Sequence, residues 1–160
     1  ITDAYSHMIV GWALAETLKA SVSIQALQMA IEQATAVHGS STLTGLIHHS
    51  DRGVQYCCDA YIAKLKEHDI TISMTEDYNP TDNAIAERIN GILKMEDIYS
   101  RKQLRSFEHA CNVIPRFISF YNYRRPHMSI AYKTPAVAHT EKGEQKKMWK
   151  KKCLKKNAET

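Results

Sequence analysis

The chain has 160 residues, 44% of them apolar, so it can bury one hydrophobic core and a single globular domain is expected. Its formal charge is +4, but the excess is local, because the last twenty residues hold eight lysines and three glutamates. Residues 1–140 therefore carry 13 basic and 14 acidic groups. We expect residues 140–160 to form a disordered or loosely helical Lys-rich tail, which can attract phosphate without reading sequence.

The sequence gives no indication of a secreted or membrane protein. No apolar run approaches the length of a membrane span, and no signal peptide is visible. The cysteines have neither CxxC spacing nor a zinc-finger frame, so they predict reduced thiols rather than a zinc site. They are Cys57, Cys58, Cys111 and Cys153. We therefore expect a cytoplasmic protein.

The predicted elements begin with strands and continue with strands that alternate with helices. In chain order they are one and a half strands of a hairpin over 1–14, a helix over 21–38, a strand over 43–48, a helix over 59–68, a strand over 70–74, a helix over 83–97 and a helix over 106–121. Pro115 should kink or divide the last helix. This order predicts a mixed α/β sheet layered with helices.

Two carboxylates occupy positions that are typical of functional groups. Asp51 follows a predicted strand and precedes Gly53, and functional groups collect at the carboxyl ends of strands in α/β sheets. Glu87 lies on the helix predicted from Asn83, opposite the apolar stripe and two turns before Lys94. Paired carboxylates are what two hard cations need in phosphoryl transfer between nucleic-acid strands. Taken alone, however, such residues are more often solvated surface groups.

Several motifs in a fixed order nevertheless favour a functional role for these two residues. HHSDRGVQY occupies 48–56, DNAIAERINGILK occupies 82–94, YNYRRPH occupies 121–127 and KTP occupies 133–135. Upstream, TDAYS at 2–6 and IVGW at 9–12 form a strand-turn-strand pattern. Together these motifs resemble the integrase core of insertion-sequence transposases, the group whose second reading frame encodes a retroviral-integrase-like catalytic domain. The 35 residues between Asp51 and Glu87 match the interval that separates the second and third acidic residues of that DDE superfamily.

The resemblance covers residues 1–139 and implies an RNase H-like fold, a mixed five-stranded sheet flanked by helices. It implies that Asp51 and Glu87 are catalytic metal ligands for Mg²⁺ (or Mn²⁺), with two ions in the complete site. It places Lys94 where integrases hold a basic residue against DNA. Arg124 and Arg125 match signature positions that would contact DNA or support the fold. The remaining matches are expected to be structural: Asn83, Tyr121, Asn122 and His127.

The family's first catalytic Asp has no counterpart in this chain. Asp3 would end the second strand rather than begin the first, so we do not assign it a catalytic role. The first strand and part of the second are therefore expected to lie upstream of Ile1, and the chain alone is expected to be inactive. Neither His48 nor His49 is expected to act as a general base, because metal ions activate the nucleophile in this chemistry.

Three functions follow as hypotheses. The first is DNA transposition in the full-length parent, by metal-dependent end nicking and strand transfer. Such an enzyme would act as a homo-oligomer on transposon-end and target DNA, and would need a separate helix-turn-helix subunit or domain. The second is an inactive transposase remnant that only binds nucleic acid. The third, a nuclease acting on RNA in hybrids, is disfavoured because the YNYRRPH segment belongs to the transposase pattern.

Overall fold

The computed structural model of the protein describes residues 1–75, 84–92, 94 and 106–145. Within them the helices are α1 (Ala20–His38), α2 (Val54–Cys57), α3 (Asp59–Glu67), α4 (Ala84–Ile92), α5 (Phe107–Tyr123) and α6 (Pro135–His139), with a 3₁₀ turn at Met128–Ile130. The strands are β1 (Ile47–Ser50) and β2 (Thr71–Met74). Helices and strands thus alternate from α1 to α4, which confirms the predicted α/β class.

β1 and β2 form a parallel pair whose two faces differ. The register pairs His48 with Ile72 and His49 with Ser73. Ile72 packs against a core cluster built from α1, α3 and the residues that precede each strand. Its buried members are Leu27, Ile31, Leu43, Tyr61, Leu65 and Ile70. Because side chains alternate along a strand, His49 and Ser73 lie on the opposite face, away from this core.

A second core cluster joins α4 and α5 to the amino-terminal segment. Ile89 of α4 packs with the buried residues of α5, and Ile9 and Trp12 lie against them. The α5 members are Ala110, Ile114, Phe117, Ile118 and Tyr121. The apolar residues of α5 recur at i, i+4, i+7 and i+8 spacing, which places them on one side of the helix.

Helix α5 begins at a capped position, since the Ser106 side chain accepts a hydrogen bond from the backbone N–H of His109. It is continuous through Pro115, so the expectation that this proline divides the helix was wrong. The proline lacks the N–H that would bond to residue 111, and one missing bond is tolerated in a helix anchored by its apolar face.

Two predicted strands differ from the structure. The strand predicted over 43–48 lies instead at Ile47–Ser50, because Leu43 enters the core from a turn and its N–H donates to His68 O. Residues 7–14 were predicted to be strand-like, but here only Ile9 pairs, in an isolated antiparallel bridge with Thr2. The turn between them nevertheless closes like a hairpin, as Asp3 N donates to Met8 O at 2.9 Å.

Candidate active site

Asp51 directly follows β1 and is exposed. The Asp51 Oδ1 atom accepts a hydrogen bond from the Gly53 N–H at 2.9 Å, an Asx turn that directs the chain into α2. In the described part of the chain Asp51 makes no other side-chain hydrogen bond or ion pair. Its second oxygen is therefore available to a ligand from outside.

Glu87 lies in the first turn of α4 and is exposed. Two residues further along the same helix, Ile89 is only 6% exposed and belongs to the second core cluster. The packed side of α4 thus fixes the helix, while Glu87 points to solvent with no hydrogen bond or ion pair among the described residues.

The predicted DNA-binding residues lie at two places. Lys94 is exposed and follows α4 by two residues. Arg124 is exposed at the end of α5, where its N–H donates to Phe120 O. Arg125 is half-buried, and its Nη1 lies 3.3 Å from the Nδ1 of His127. The structure thus leaves Lys94 and Arg124 open to solvent and turns Arg125 toward the protein.

The residues expected to be structural signatures are largely buried. Tyr121 is fully buried, and its ring meets that of His127 edge-on at 4.7 Å. The Asn122 side chain acts like a neighbouring strand, because its Oδ1 accepts from Ile9 N at 3.0 Å and its Nδ2 donates to Ile9 O at 2.9 Å. Asn83 falls outside the described residues.

Asp3 is bound into a network at the first turn. Its carboxylate accepts hydrogen bonds from the Tyr5 and Ser6 N–H groups and from Ser6 Oγ, and lies 3.1 Å from the Nδ1 of His139 on α6. Burial acts to raise the pKa of Asp3, but the hydrogen bonds from Ser6, His139 and Tyr5 outweigh it. The pKa therefore lies below its ordinary value of 3.8. With its oxygens occupied, Asp3 is poorly placed to bind a metal ion.

The two histidines of β1 point in opposite directions. His48 faces the core, where its Nε2 lies 3.0 Å from the Tyr61 hydroxyl. Burial lowers the pKa of His48 and raises that of Tyr61, since each charged form would be poorly solvated there. His49 is exposed, and its Nδ1 lies 2.9 Å from Ser73 Oγ. His48 is thus a packing residue, whereas His49 belongs to the open face.

The sequence interpretation missed the pairing of His49 with Ser73 and the network around Asp3. The first could have been found by placing the strand at 47–50, since the parallel register then puts these two residues side by side. The second depends on residues 136 positions apart in the sequence, and no local pattern indicates such a contact.

The described residues do not contain a complete metal site. Among residues 1–75, 84–92, 94 and 106–145, no three His, Cys, Asp or Glu side chains lie close enough together to hold a metal ion. In the same ranges, no helix has both the length and the apolar character needed to cross a membrane. The carboxylates of Asp51 and Glu87 are oxygen donors of the type that Mg²⁺ and Mn²⁺ prefer.

Two family models, both described as an integrase core domain, match the chain over residues 1–80 and 68–135. The first alone spans half of the sequence. The chain belongs to the integrase core family. Domains of this family generally use divalent metal ions and bind DNA.

Curated relatives of this integrase core chain include transposases. It is 37% identical over 125 residues to a Mycobacterium tuberculosis protein assigned as the transposase of insertion sequence element IS986/IS6110, covering 78% of this chain and 45% of that protein. It is 30% identical over 138 residues to the transposase for insertion sequence element IS629 of Shigella sonnei, covering 86% and 44%. The chain thus spans about half the length of the curated relatives it matches.

A solved structure supports the fold. A chain of the simian T-cell lymphotropic virus intasome, determined in complex with a PP2A regulatory subunit, matches with a TM-score of 0.62 at 21% identity. The match covers 80% of this integrase core chain and 42% of that one. Together with the family match, it shows that the chain has the RNase H-like fold.

Proposed function

We propose that this chain provides the catalytic-core portion of a DNA transposase that nicks element ends and joins them to target DNA. The observation that carries the proposal is a pair of exposed carboxylates without other ion partners, Asp51 after β1 and Glu87 on α4, in a chain of the integrase core family. Residues 1–139 would form this core, and residues 140–160 would form a basic tail. The named transposases among the relatives support the same activity.

In this proposal Asp51 and Glu87 hold divalent cations, Mg²⁺ or Mn²⁺, with two ions in the complete site. Both side chains offer hard oxygen donors, and neither forms a salt bridge among the described residues. The bound cations would supply Lewis-acid chemistry for phosphoryl transfer. The protein's own contribution is to fix the two carboxylates, one by the Asx turn with Gly53 and one by the packed side of α4 around Ile89.

DNA is the proposed substrate. The exposed cations Lys94 and Arg124 would neutralise backbone phosphates, and Arg125 would support the turn that carries Arg124. Buried Tyr121, Asn122 and His127 would hold this end of α5 against the amino-terminal segment. We further propose a homo-oligomeric assembly on DNA, with end recognition by a helix-turn-helix subunit or domain, in the bacterial cytoplasm.

The test is metal-dependent joining of an element-end oligonucleotide to target DNA by the protein expressed from its complete reading frame. Asp51→Asn and Glu87→Gln should each reduce joining on the order of a thousand-fold, the effect of removing one transition-state electrostatic contact. The matched control is Glu108→Gln, because Glu108 is also an exposed acid in the first turn of a helix, α5. It should retain full activity.

Full joining by Glu87→Gln would contradict the site assignment. Salt-sensitive DNA binding without any joining by the unsubstituted protein would support the alternative, a remnant that only binds nucleic acid.

A further inference from the structure

The open face of the sheet carries one side chain with an oriented donor. His49 and Ser73 are register partners in the parallel pair, and the His49 Nδ1 lies 2.9 Å from Ser73 Oγ. This bond fixes the imidazole against the sheet. A hydroxyl can donate as well as accept, so with Ser73 donating to Nδ1 the ring carries a proton on Nε2. The far side of the ring then presents an N–H to solvent.

This donor lies two residues before the proposed metal ligand Asp51. Exposure alternates along β1, with Ile47 and His49 exposed and Ser50 buried, and Asp51 continues the exposed series. Residues two apart on a strand point to the same side. Ile47 is 65% exposed, so the described residues leave this part of the face open.

We propose that His49 is a substrate-contacting residue that donates a hydrogen bond from Nε2 to a DNA phosphate oxygen next to the Asp51 carboxylate. Ser73 is its positioning residue. The inference rests on the proposed function, since it takes DNA as the substrate of this face. The bond is directional, because Ser73 holds the imidazole in place.

Replacing His49 by asparagine or by glutamine separates this role from a structural one. In His49→Asn the amide can occupy the place of Nδ1 and keep the bond to Ser73, but it lacks the far donor. In His49→Gln the longer side chain carries its amide N–H toward the place of Nε2. If the DNA contact matters, Gln replaces His and Asn does not. If only the cross-strand bond matters, the order is reversed.

The experiment measures binding of a short fluorescent DNA duplex to the 160-residue chain by anisotropy over a series of salt concentrations, with thermal unfolding of each variant. His49→Asn should bind about five-fold more weakly, the effect of one hydrogen bond, at an unchanged melting temperature. His49→Gln should bind within about two-fold of the original chain.

His68 provides the matched control. Its Nδ1 is also fixed, 2.8 Å from Ser41 O, but it lies before the amino end of β2, at the opposite end of the sheet from Asp51. His68→Asn and His68→Gln should leave DNA affinity unchanged. Ser73→Ala should weaken binding by about two-fold, since it leaves the His49 ring free to rotate.

Normal binding by His49→Asn would overturn the proposal, as would equal losses in the Asn and Gln variants accompanied by lower melting temperatures. Either result leaves the proposed function intact, because that function is tested separately by joining with Asp51→Asn and Glu87→Gln. If the unsubstituted chain binds no duplex, the contact at His49 is refuted. The joining assay then decides the proposed function independently.

Discussion

Two turns in this protein are each closed by hydrogen bonds to an aspartate side chain, but the two aspartates differ in their surroundings. At the first turn, Asp3 accepts from the N–H groups of Tyr5 and Ser6, and at the end of β1, Asp51 accepts from that of Gly53. Asp3 is half-buried and is also contacted by Ser6 Oγ and His139. Asp51 is exposed and makes a single bond.

The difference shows why an aspartate in a turn cannot be assigned from its motif alone. A carboxylate whose oxygens are filled by protein donors stabilises the fold, and a metal ion would have to displace those donors. A carboxylate held by one backbone N–H is oriented but still has coordination capacity. The structure therefore supports a stabilising role for Asp3 and leaves coordination capacity at Asp51.

The largest expected effect concerns the glycines that adjoin these turns. A Cβ added at Gly11, past the first turn, would lie 2.1 Å from the backbone oxygen of Ala26, so α1 would have to shift. Gly11→Ala should lower the free energy of unfolding by about 3 kcal/mol.

Gly53→Ala is the matched change at the second turn. There the added Cβ would meet the ends of flexible side chains, Gln55 Nε2 at 2.7 Å and Asp51 Oδ1 at 2.9 Å. The free energy of unfolding should fall by less than about 1 kcal/mol, whereas joining activity should fall because Asp51 must move. Chemical denaturation measures the free energy of unfolding of both glycine variants. Equal destabilisation would contradict the difference described between the two turns.

A smaller effect is expected from removing each carboxylate. Asp3→Ala should destabilise the chain by about 2 kcal/mol, because the Ser6 groups and His139 lose their acceptor in a partly buried site. Asp51→Ala should change stability by no more than about 0.5 kcal/mol, as expected for an exposed side chain with one local bond. Thermal unfolding at neutral pH provides the comparison. Similar losses in the two variants would mean that the turns do not differ as described.

The smallest effect is a pH dependence that belongs to Asp3. Because its folded pKa lies below the ordinary value of 3.8, Asp3 contributes stability above that value and loses it as the pH falls from 3.8 toward the folded pKa. Asp3→Asn should flatten the decline of stability in this acid window. Ser6→Ala should make the decline smaller, since it removes hydrogen bonds that lower the pKa. The free energy of unfolding is plotted against pH for Asp3→Asn and for the original chain. If the two plots run parallel at acid pH, this assignment is contradicted.

The fold class and the helices could be predicted from the sequence, because long amphipathic segments show their periodicity locally. The helix predicted over 21–38 is α1, and the one predicted over 59–68 is α3. Short strands were less predictable. Leu43 is apolar because it fills the core from a turn, and not because it pairs, so its hydrophobicity misplaced the start of β1.

Motif spacing predicts Asp51 and Glu87 as candidate site residues, but the sequence does not indicate which side chains contact the other acidic residues. Nothing in the sequence around Asp3 indicates that His139 lies against it, because that contact is made by the packing of α6 near the first turn. Likewise, the bond between His49 and Ser73 follows from the strand register, which is set by the packing of Ile72 on the core cluster.

The central claim is that Asp51 and Glu87 bind the same divalent ions. The most direct measurement is paramagnetic broadening of backbone amide signals as Mn²⁺ is added to the 160-residue chain, since the broadening falls steeply with distance from the ion. The account predicts that the amides around Asp51 and Glu87 broaden first and together, and that Asp51→Asn or Glu87→Gln weakens the effect at both places. Broadening centred on Asp3, or at Asp51 and Glu87 independently of each other, would contradict it.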